Sequence, residues 1–367
     1  MHERFYRTLP SQTAELSRLL TGARGERSLS YLSRPNFLSA YLHYFLPWNL
    51  CRLCRLLANI EVSLKAGDII TDIGSGPLTF VLALWITRND LREVPLEFYC
   101  IDRSLPALEA GKKLLAAFCD EFNKNADNGG LWKIHIVKED IDIRKKTDNA
   151  QKRKKASLVC AVNVFNEIYE TLPHNNREGL RRMAEKIANY MHGQALADAC
   201  ILTVEPGVPQ SGRFIAFLRS AFLELGREPL SPCTHTKACP LNGEKKRWCH
   251  FAFEAADAPK ELLRLSAAAG LPKERLVFSY LLAGAAISAP AKNAPKKSAE
   301  KVRVISDAFP LPPARFGRYG CCSRGLVLLR GGKNRVEKTA CGSLAAPIFA
   351  ANEQRDAKSG ALIMELP

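Results

Sequence analysis

The stretch Asp72-Ile73-Gly74-Ser75-Gly76-Pro77-Leu78-Thr79 sets an acid, two glycines and a proline at the spacing of a nucleotide-binding turn. Glycines at 74 and 76 let the backbone turn sharply after a strand and come close to a ligand. Pro77 suits the first turn of the helix that follows, where its missing N–H costs nothing. Thr79 stands where a dinucleotide fingerprint has its third glycine, which serves pyrophosphate packing poorly. Asp72, two residues before the first glycine, puts a carboxylate where the amino group of a methionine moiety would lie. The loop therefore points to S-adenosylmethionine (AdoMet) rather than to a nicotinamide dinucleotide. Asp102 ends the next apolar segment, placed to accept both ribose hydroxyls. Asp140 follows the third such segment, near where an adenine would lie, and Asn163 follows the fourth on the same edge.

A second group of reactive residues lies further on. Cys233-Thr234-His235 is followed by Cys239-Pro240, by Trp248-Cys249-His250, and far downstream by Cys321-Cys322. Clustered thiols plus one from a distant segment match four-thiolate ligation of a metal or an iron–sulfur cluster. The spacing is not that of a paired zinc ribbon, so it leaves the metal open; His235 or His250 could substitute and favour zinc. Cys51, Cys54, Cys100, Cys119, Cys160 and Cys200 fall in apolar helix or strand patterns and read as core.

Alternating elements must position these residues. Residues 1–62 read as helices, with Leu38, Tyr41, Leu42, Phe45 and Leu46 at three-and-four spacing and Pro47 ending one helix and opening the next. Strands are expected at Asp68–Thr71, Leu96–Ile101, Lys133–Val137, Ser157–Val162, Cys200–Val204 and Leu276–Leu282. Helices are expected between most of them. This rhythm predicts an α/β Rossmann-like sheet, mostly parallel, with ligands at the carboxyl ends of its strands. The expected organisation is an N-terminal helical region (1–62), a methyltransferase-like domain (63–288) with a Cys-rich insertion (231–253), and a linker (289–302). A C-terminal region (303–367) supplies the distal cysteine and ends in a weakly ordered tail.

The chain carries 53 Lys and Arg against 37 Asp and Glu, a net charge of +16, which favours an anionic partner such as nucleic acid. Arg144, Lys145, Lys146, Lys152, Arg153, Lys154 and Lys155 crowd one loop and offer phosphate contacts. No run approaches a membrane span, and the polar opening from Met1 to Arg24 lacks the apolar core of a signal peptide. Reduced thiols are expected in that setting, and the protein is expected to be a monomer.

Glu205-Pro206-Gly207, Pro232-Cys233-x-His235-x-x-x-Cys239-Pro240, Trp248-Cys249-His250-Phe251 and Phe278-Ser279-Tyr280 together resemble the methyltransferase-like mitochondrial and bacterial ribosomal small-subunit assembly family, of the yeast small-subunit protein twenty-two type. The resemblance runs from about Arg27 to Gly325. It implies a class I methyltransferase fold, association with the assembling small ribosomal subunit and its rRNA, and a four-cysteine [4Fe–4S] cluster. Cys233, Cys239 and Cys249 match the clustered ligands, and Cys321 the distal one, with Cys322 as its neighbour. It also implies a mitochondrial matrix location in a eukaryote and a cytoplasmic one in a bacterium. The family's terminal Trp-Gly element has no counterpart, since Lys333 to Pro367 contains no Trp.

Whether the pocket performs methyl transfer is a separate matter. Asn163-Val164-Phe165-Asn166-Glu167 is not the Pro-Pro-aromatic box that holds an exocyclic amine, and no Pro-Cys nucleophile follows that strand. Asn166 and Glu167 are the candidate catalytic residues. The readings are thus an AdoMet-dependent rRNA methyltransferase, a catalytically silent assembly factor that keeps AdoMet and cluster as structural elements, and a nicotinamide oxidoreductase with a zinc site.

Overall fold

A computed structural model of the chain describes residues 2–21, 31–123, 131–141, 153–169, 172–173, 176–243, 247–286, 300–348 and 353–367. The basic residues Arg144, Lys145, Lys146 and Lys152 and positions 289–299 of the expected 289–302 linker lie outside the described residues, while Val302 at its end opens a strand. Two compact units interleave along the chain. One holds Met1–Thr171, Gly193–Leu196 and Glu254–Leu276; the other holds Leu172–His192, Ala197–Phe253 and Val277–Pro367.

In the first unit four parallel strands, β1 (Ile69–Ile73), β2 (Leu96–Asp102), β3 (Trp132–Lys138) and β4 (Ala156–Val162), lie in the order β3-β2-β1-β4. The paired strands β1 and β4 are buried along almost their whole length, as parallel strands enclosed on both faces are, with Thr71 and Asp72 the polar exceptions in β1. The helix after β1 is Thr79–Thr87, and every residue from Thr79 to Trp85 is buried. The helix after β2, Leu105–Asn123, lies close to it. Gly111 permits this approach, because a Cβ there would stand 2.3 Å from the Pro77 carbonyl carbon.

The N-terminal helices belong to this unit. His2–Thr21 is followed by Pro35–Ala40 and Leu46–Leu57, and the last two are joined by a π-turn over Tyr41–Phe45. The sequence pattern has Pro47 breaking the helix here. Instead the Leu46 N–H reaches back to the Tyr41 carbonyl, and one widened turn absorbs the ring that cannot donate to an α-helical ladder. Trp48 donates its indole N–H to Ser266 Oγ at 3.1 Å, and the Tyr44 hydroxyl donates to the Leu271 carbonyl at 3.1 Å. Both residues are buried against the helix Lys260–Ala268.

In the second unit β5 (Ala195–Pro206) and β6 (Arg227–Ser231) flank an antiparallel strand, Arg275–Ala285, which also pairs with β7 (Phe251–Glu254). Numbering that antiparallel strand β8, a further sheet of six strands follows: β9 (Val302–Val304), β10 (Phe309–Leu311), β11 (Arg315–Cys322), β12 (Gly325–Gly331), β13 (Leu344–Ala345) and β14 (Leu362–Glu365). Val302, Val304, Cys322, Val327, Leu329, Leu362 and Met364 form its core. The tail, expected to be weakly ordered, thus contributes a strand parallel to β12. Leu362, Met364 and Leu366 alternate inward with period two, the signature of a half-buried strand. A parallel 3-2-1-4 run, and an antiparallel strand inserted between two neighbours of common direction, make this a methyltransferase-like Rossmann α/β fold.

Candidate functional site

The first unit carries an open cleft at the carboxyl ends of β1, β2 and β4. Gly74, Ser75 and Gly76 form its floor, with Asp102, Asp140 and Asn163 on its walls. Gly74 has φ +67°, and a Cβ there would stand 2.3 Å from Val164 Cγ2, so only glycine fits. Asn163 also adopts a left-handed conformation at φ +54°, which asparagine tolerates better than most residues. Asp102 accepts the Gly76 N–H at 2.9 Å on one oxygen and the Ser104 N–H at 2.8 Å on the other. Burial nevertheless pushes its carboxyl above the usual value. Both bonds fix the carboxylate at the strand end while leaving oxygen lone pairs for a ligand hydroxyl.

Asp72 and Pro77 do not line the cleft. The Asp72 side chain is buried beneath the loop, accepting from Ser75 Oγ at 2.5 Å and from the Cys160 thiol at 3.4 Å. Its carboxylate thereby braces Ser75 from below. Burial raises Asp72 from 3.8 to about 6. A folded-state value above the unfolded one means a contribution fully present below about pH 4 and lost as pH rises through about 6. The rise from 3.8 to about 6, already net of the Ser75 and Cys160 hydrogen bonds, corresponds to roughly 3 kcal/mol at neutral pH. Asp72→Asn should therefore raise the unfolding temperature above pH 7 and change little near pH 4. Equal unfolding temperatures of the two proteins across that pH range would refute the burial argument.

Of the two candidate catalytic residues, Glu167 lines the cleft and Asn166 does not. Glu167 accepts the Tyr31 hydroxyl on one oxygen and the Arg103 guanidinium on the other, each at 3.1 Å. It ties a residue of the N-terminal region to the loop after β2. Tyr31, Leu32, Tyr41 and Asn49 complete the wall, and none of them is singled out by sequence pattern as a site residue. The available signal is Asn49, a polar residue within an otherwise apolar helical stripe. Burial first, then the carboxylates of Glu167 and Asp102, push the Tyr41 phenol far up, so it faces the cleft protonated. Arg153, expected among the phosphate contacts, is held by Glu139 at 3.1 Å with both side chains largely buried; Lys154 and Lys155 are exposed.

The second unit holds a cavity lined by Cys233, Cys239, Cys249 and Cys321, with His235, Arg219 and Arg303. Successive side chains of a strand point to opposite faces. On β11 this sends Cys321 to the cavity and Cys322 into the core of the six-stranded sheet, where it is fully buried. His235 Nε2 lies 3.6 Å from Cys321 Sγ, whereas His250 stacks on Trp248 with ring centroids 4.9 Å apart and does not line the cavity. Burial raises all four thiols, Cys239 to about 11, and for Cys239, Cys249 and Cys321 the neighbouring thiols add to it. Among the described residues, no three Cys, His, Asp or Glu side chains are placed to hold one metal ion together.

The Cys-flanking motifs meet around this cavity. The Gly207 carbonyl accepts the Trp248 indole N–H at 3.0 Å, and Ser279 Oγ donates to the Cys249 carbonyl at 2.7 Å. The Tyr280 hydroxyl bonds Ser231 Oγ at 2.7 Å beside Pro232 and Cys233. Fixed partners of this kind hold the cysteine-bearing loops without regular secondary structure.

The fold and the first cleft define a protein of the methyltransferase-like Rossmann class. Residues 37–309 match the model of the family described as mitochondrial small ribosomal subunit Rsm22, and the chain belongs to that family. No curated protein sequence matches it. Among solved structures it is similar to a Thermoplasma acidophilum protein described as a methyltransferase, at 13% identity and TM-score 0.33 over 61% of this chain and 70% of that one. It is also similar to precorrin-6y C5,15-methyltransferase of Geobacter metallireducens, at 9% identity and TM-score 0.35 over 63% and 86%. Scores this low carry no argument about ligand or reaction. Among the described residues no helix is long and apolar enough to cross a membrane.

Proposed function

We propose that this chain binds AdoMet in the β1–β2–β4 cleft and acts on the small ribosomal subunit or its rRNA during assembly or translation. The observation that supports it most is the pairing of the Gly74–Gly76 turn with a doubly held carboxylate, Asp102, at the neighbouring strand end. In this reading Asp102 takes the ribose hydroxyls, Asp140 lies toward the adenine, and Asn163 and Gly74 flank the methionine portion. Asp72 acts from below, through Ser75. Family membership supplies the partner class, and a net charge of +16 suits an rRNA surface. In a eukaryotic cell the site of action is the mitochondrial matrix.

Cys233, Cys239, Cys249 and Cys321 would hold a four-thiolate centre, the [4Fe–4S] cluster of the family resemblance, with zinc as the alternative occupant. The donor set suits a cluster wider than a single ion: four half-buried thiols share one cavity, while no three described side chains converge on one metal ion. Once bound, the centre would tie β11 to the loop after β6, and an iron–sulfur occupant, unlike zinc, would supply redox chemistry. The residues themselves do the holding, orienting and shielding from water.

One observation favours a catalytically silent version of this function. Both Glu167 oxygens are engaged, by Tyr31 and Arg103, which makes Glu167 a clasp for the N-terminal region rather than a poised base. Mapping small-subunit rRNA methylation in a deletion strain carrying wild type or Asp102→Ala separates the two. An enzyme predicts a methyl mark lost in the deletion and in the variant. A silent factor predicts an unchanged methylation map with fewer mature subunits. Normal subunits and normal methylation in the deletion strain would refute both.

A further inference from the structure

Arg219 is an unusual residue to find where it is. It sits on the helix Pro209–Glu224, is only 2% exposed, and lines the same cavity as the four cysteines. One terminal nitrogen donates to the His235 carbonyl at 2.6 Å and to the Lys237 carbonyl at 2.8 Å, both in the loop between Cys233 and Cys239. Its Nε is buried with no hydrogen-bond partner among the described residues. Arg303, on β9, lines the cavity from another side. Its Nε donates to the Pro232 carbonyl at 2.8 Å and a terminal nitrogen to the Gly342 carbonyl at 2.5 Å. Both arginines are thus fixed by backbone carbonyls, which carry no formal charge. Two guanidinium charges face an apolar pocket of thiols, and among the described residues no carboxylate is hydrogen-bonded to either.

We propose that Arg219 and Arg303 are the built-in counter-charges of a dianionic four-thiolate centre, and that together they set its stability and reduction potential. This rests on the reading above that the four thiols hold a metal centre. Four thiolates around a dicationic core leave a dianion, and an unbalanced dianion in a low-dielectric cavity is strongly disfavoured. Two fixed arginines neutralise it. The unpaired Arg219 Nε–H is a ready donor to a ligand sulfur, a contact that makes a cluster easier to reduce.

The test uses the full chain purified anaerobically, as wild type, Arg219→Gln, Arg219→Lys, Arg303→Gln and Arg303→Lys. Iron and acid-labile sulfide are counted, and the loaded proteins are titrated for midpoint potential. The glutamine variants should lose metal to a chelator at least tenfold faster, and whatever loads should show a lower potential. The lysine variants keep the charge but break the carbonyl forks, so their potentials should return toward wild type. Loaded glutamine variants with wild-type potentials overturn the inference while leaving the cluster in place. Lysine variants as low in potential as the glutamine ones also overturn it, since the arginines would then act only through the loops they hold. A wild-type protein without iron and sulfide instead overturns the cluster reading, and the inference falls with it.

Discussion

Gly74→Ala should abolish useful AdoMet binding. The residue sits at φ +67°, where an L side chain costs roughly 1–2 kcal/mol, and its new methyl would stand 2.3 Å from Val164 Cγ2. Overpacking of that kind adds about 1–3 kcal/mol. The chain can relieve this only by moving the turn or Val164, and both line the cleft. A total of about 2–5 kcal/mol spent on restoring the binding geometry weakens affinity roughly 30-fold or more, at 1.4 kcal/mol per decade. If the turn does not move, the same energy appears as lost stability. Calorimetric titration and thermal unfolding of the variant together capture either outcome. Wild-type affinity with a wild-type unfolding temperature would show that the turn is not a constrained element.

The second large effect is expected at Cys249→Ser. Its thiol lies in the cavity with three others, and burial raises it well above its usual value. Serine there cannot complete the four-thiolate set and leaves a poorly satisfied hydroxyl, itself worth about 1–3 kcal/mol. Because metal binding free energy is also folding free energy, the protein should lose its metal and become less stable. A loss of about 3 kcal/mol corresponds to an unfolding temperature roughly 6–12 °C lower at the scale of a 150–250-residue domain. Cys322→Ser is the control. That residue faces the core of the six-stranded sheet, so its serine variant should be destabilised while keeping metal. Equal metal content in Cys249→Ser and wild type, or metal loss in Cys322→Ser alone, would contradict the assignment of Cys321 and its partners.

Much of the first cleft is legible in the sequence because its residues interrupt apolar runs at strand ends. Gly74, Gly76, Asp102, Asp140 and Asn163 all follow such runs, and all line the cleft. The motif does not reveal the depth of each residue. Asp72 belongs to the pattern, yet it points under the loop, because its oxygens are drawn to Ser75 and Cys160. Tyr31, Tyr41 and Asn49 come from helices whose docking depends on tertiary packing, which helical periodicity does not specify. The choice between Cys321 and Cys322 needs only strand alternation, but the sequence pattern does not announce β11 as a strand. Its eight residues carry two arginines and two glycines, with Arg318 and both glycines buried, so no apolar alternation marks its inner face. The four cysteines are visible as a set because the fold gathers the loop after β6 and the end of β11 on one cavity, and the Pro-Cys and Trp-Cys-His segments flag that loop.

Occupancy of the β1–β2–β4 cleft by AdoMet is the central claim, and one titration tests it directly. The purified full chain is titrated calorimetrically with AdoMet and, separately, with NAD. Saturable one-site binding of AdoMet, lost in Asp102→Ala, with no heat from NAD, is the predicted result. Binding of NAD without AdoMet, or AdoMet binding that Asp102→Ala leaves untouched, would contradict it.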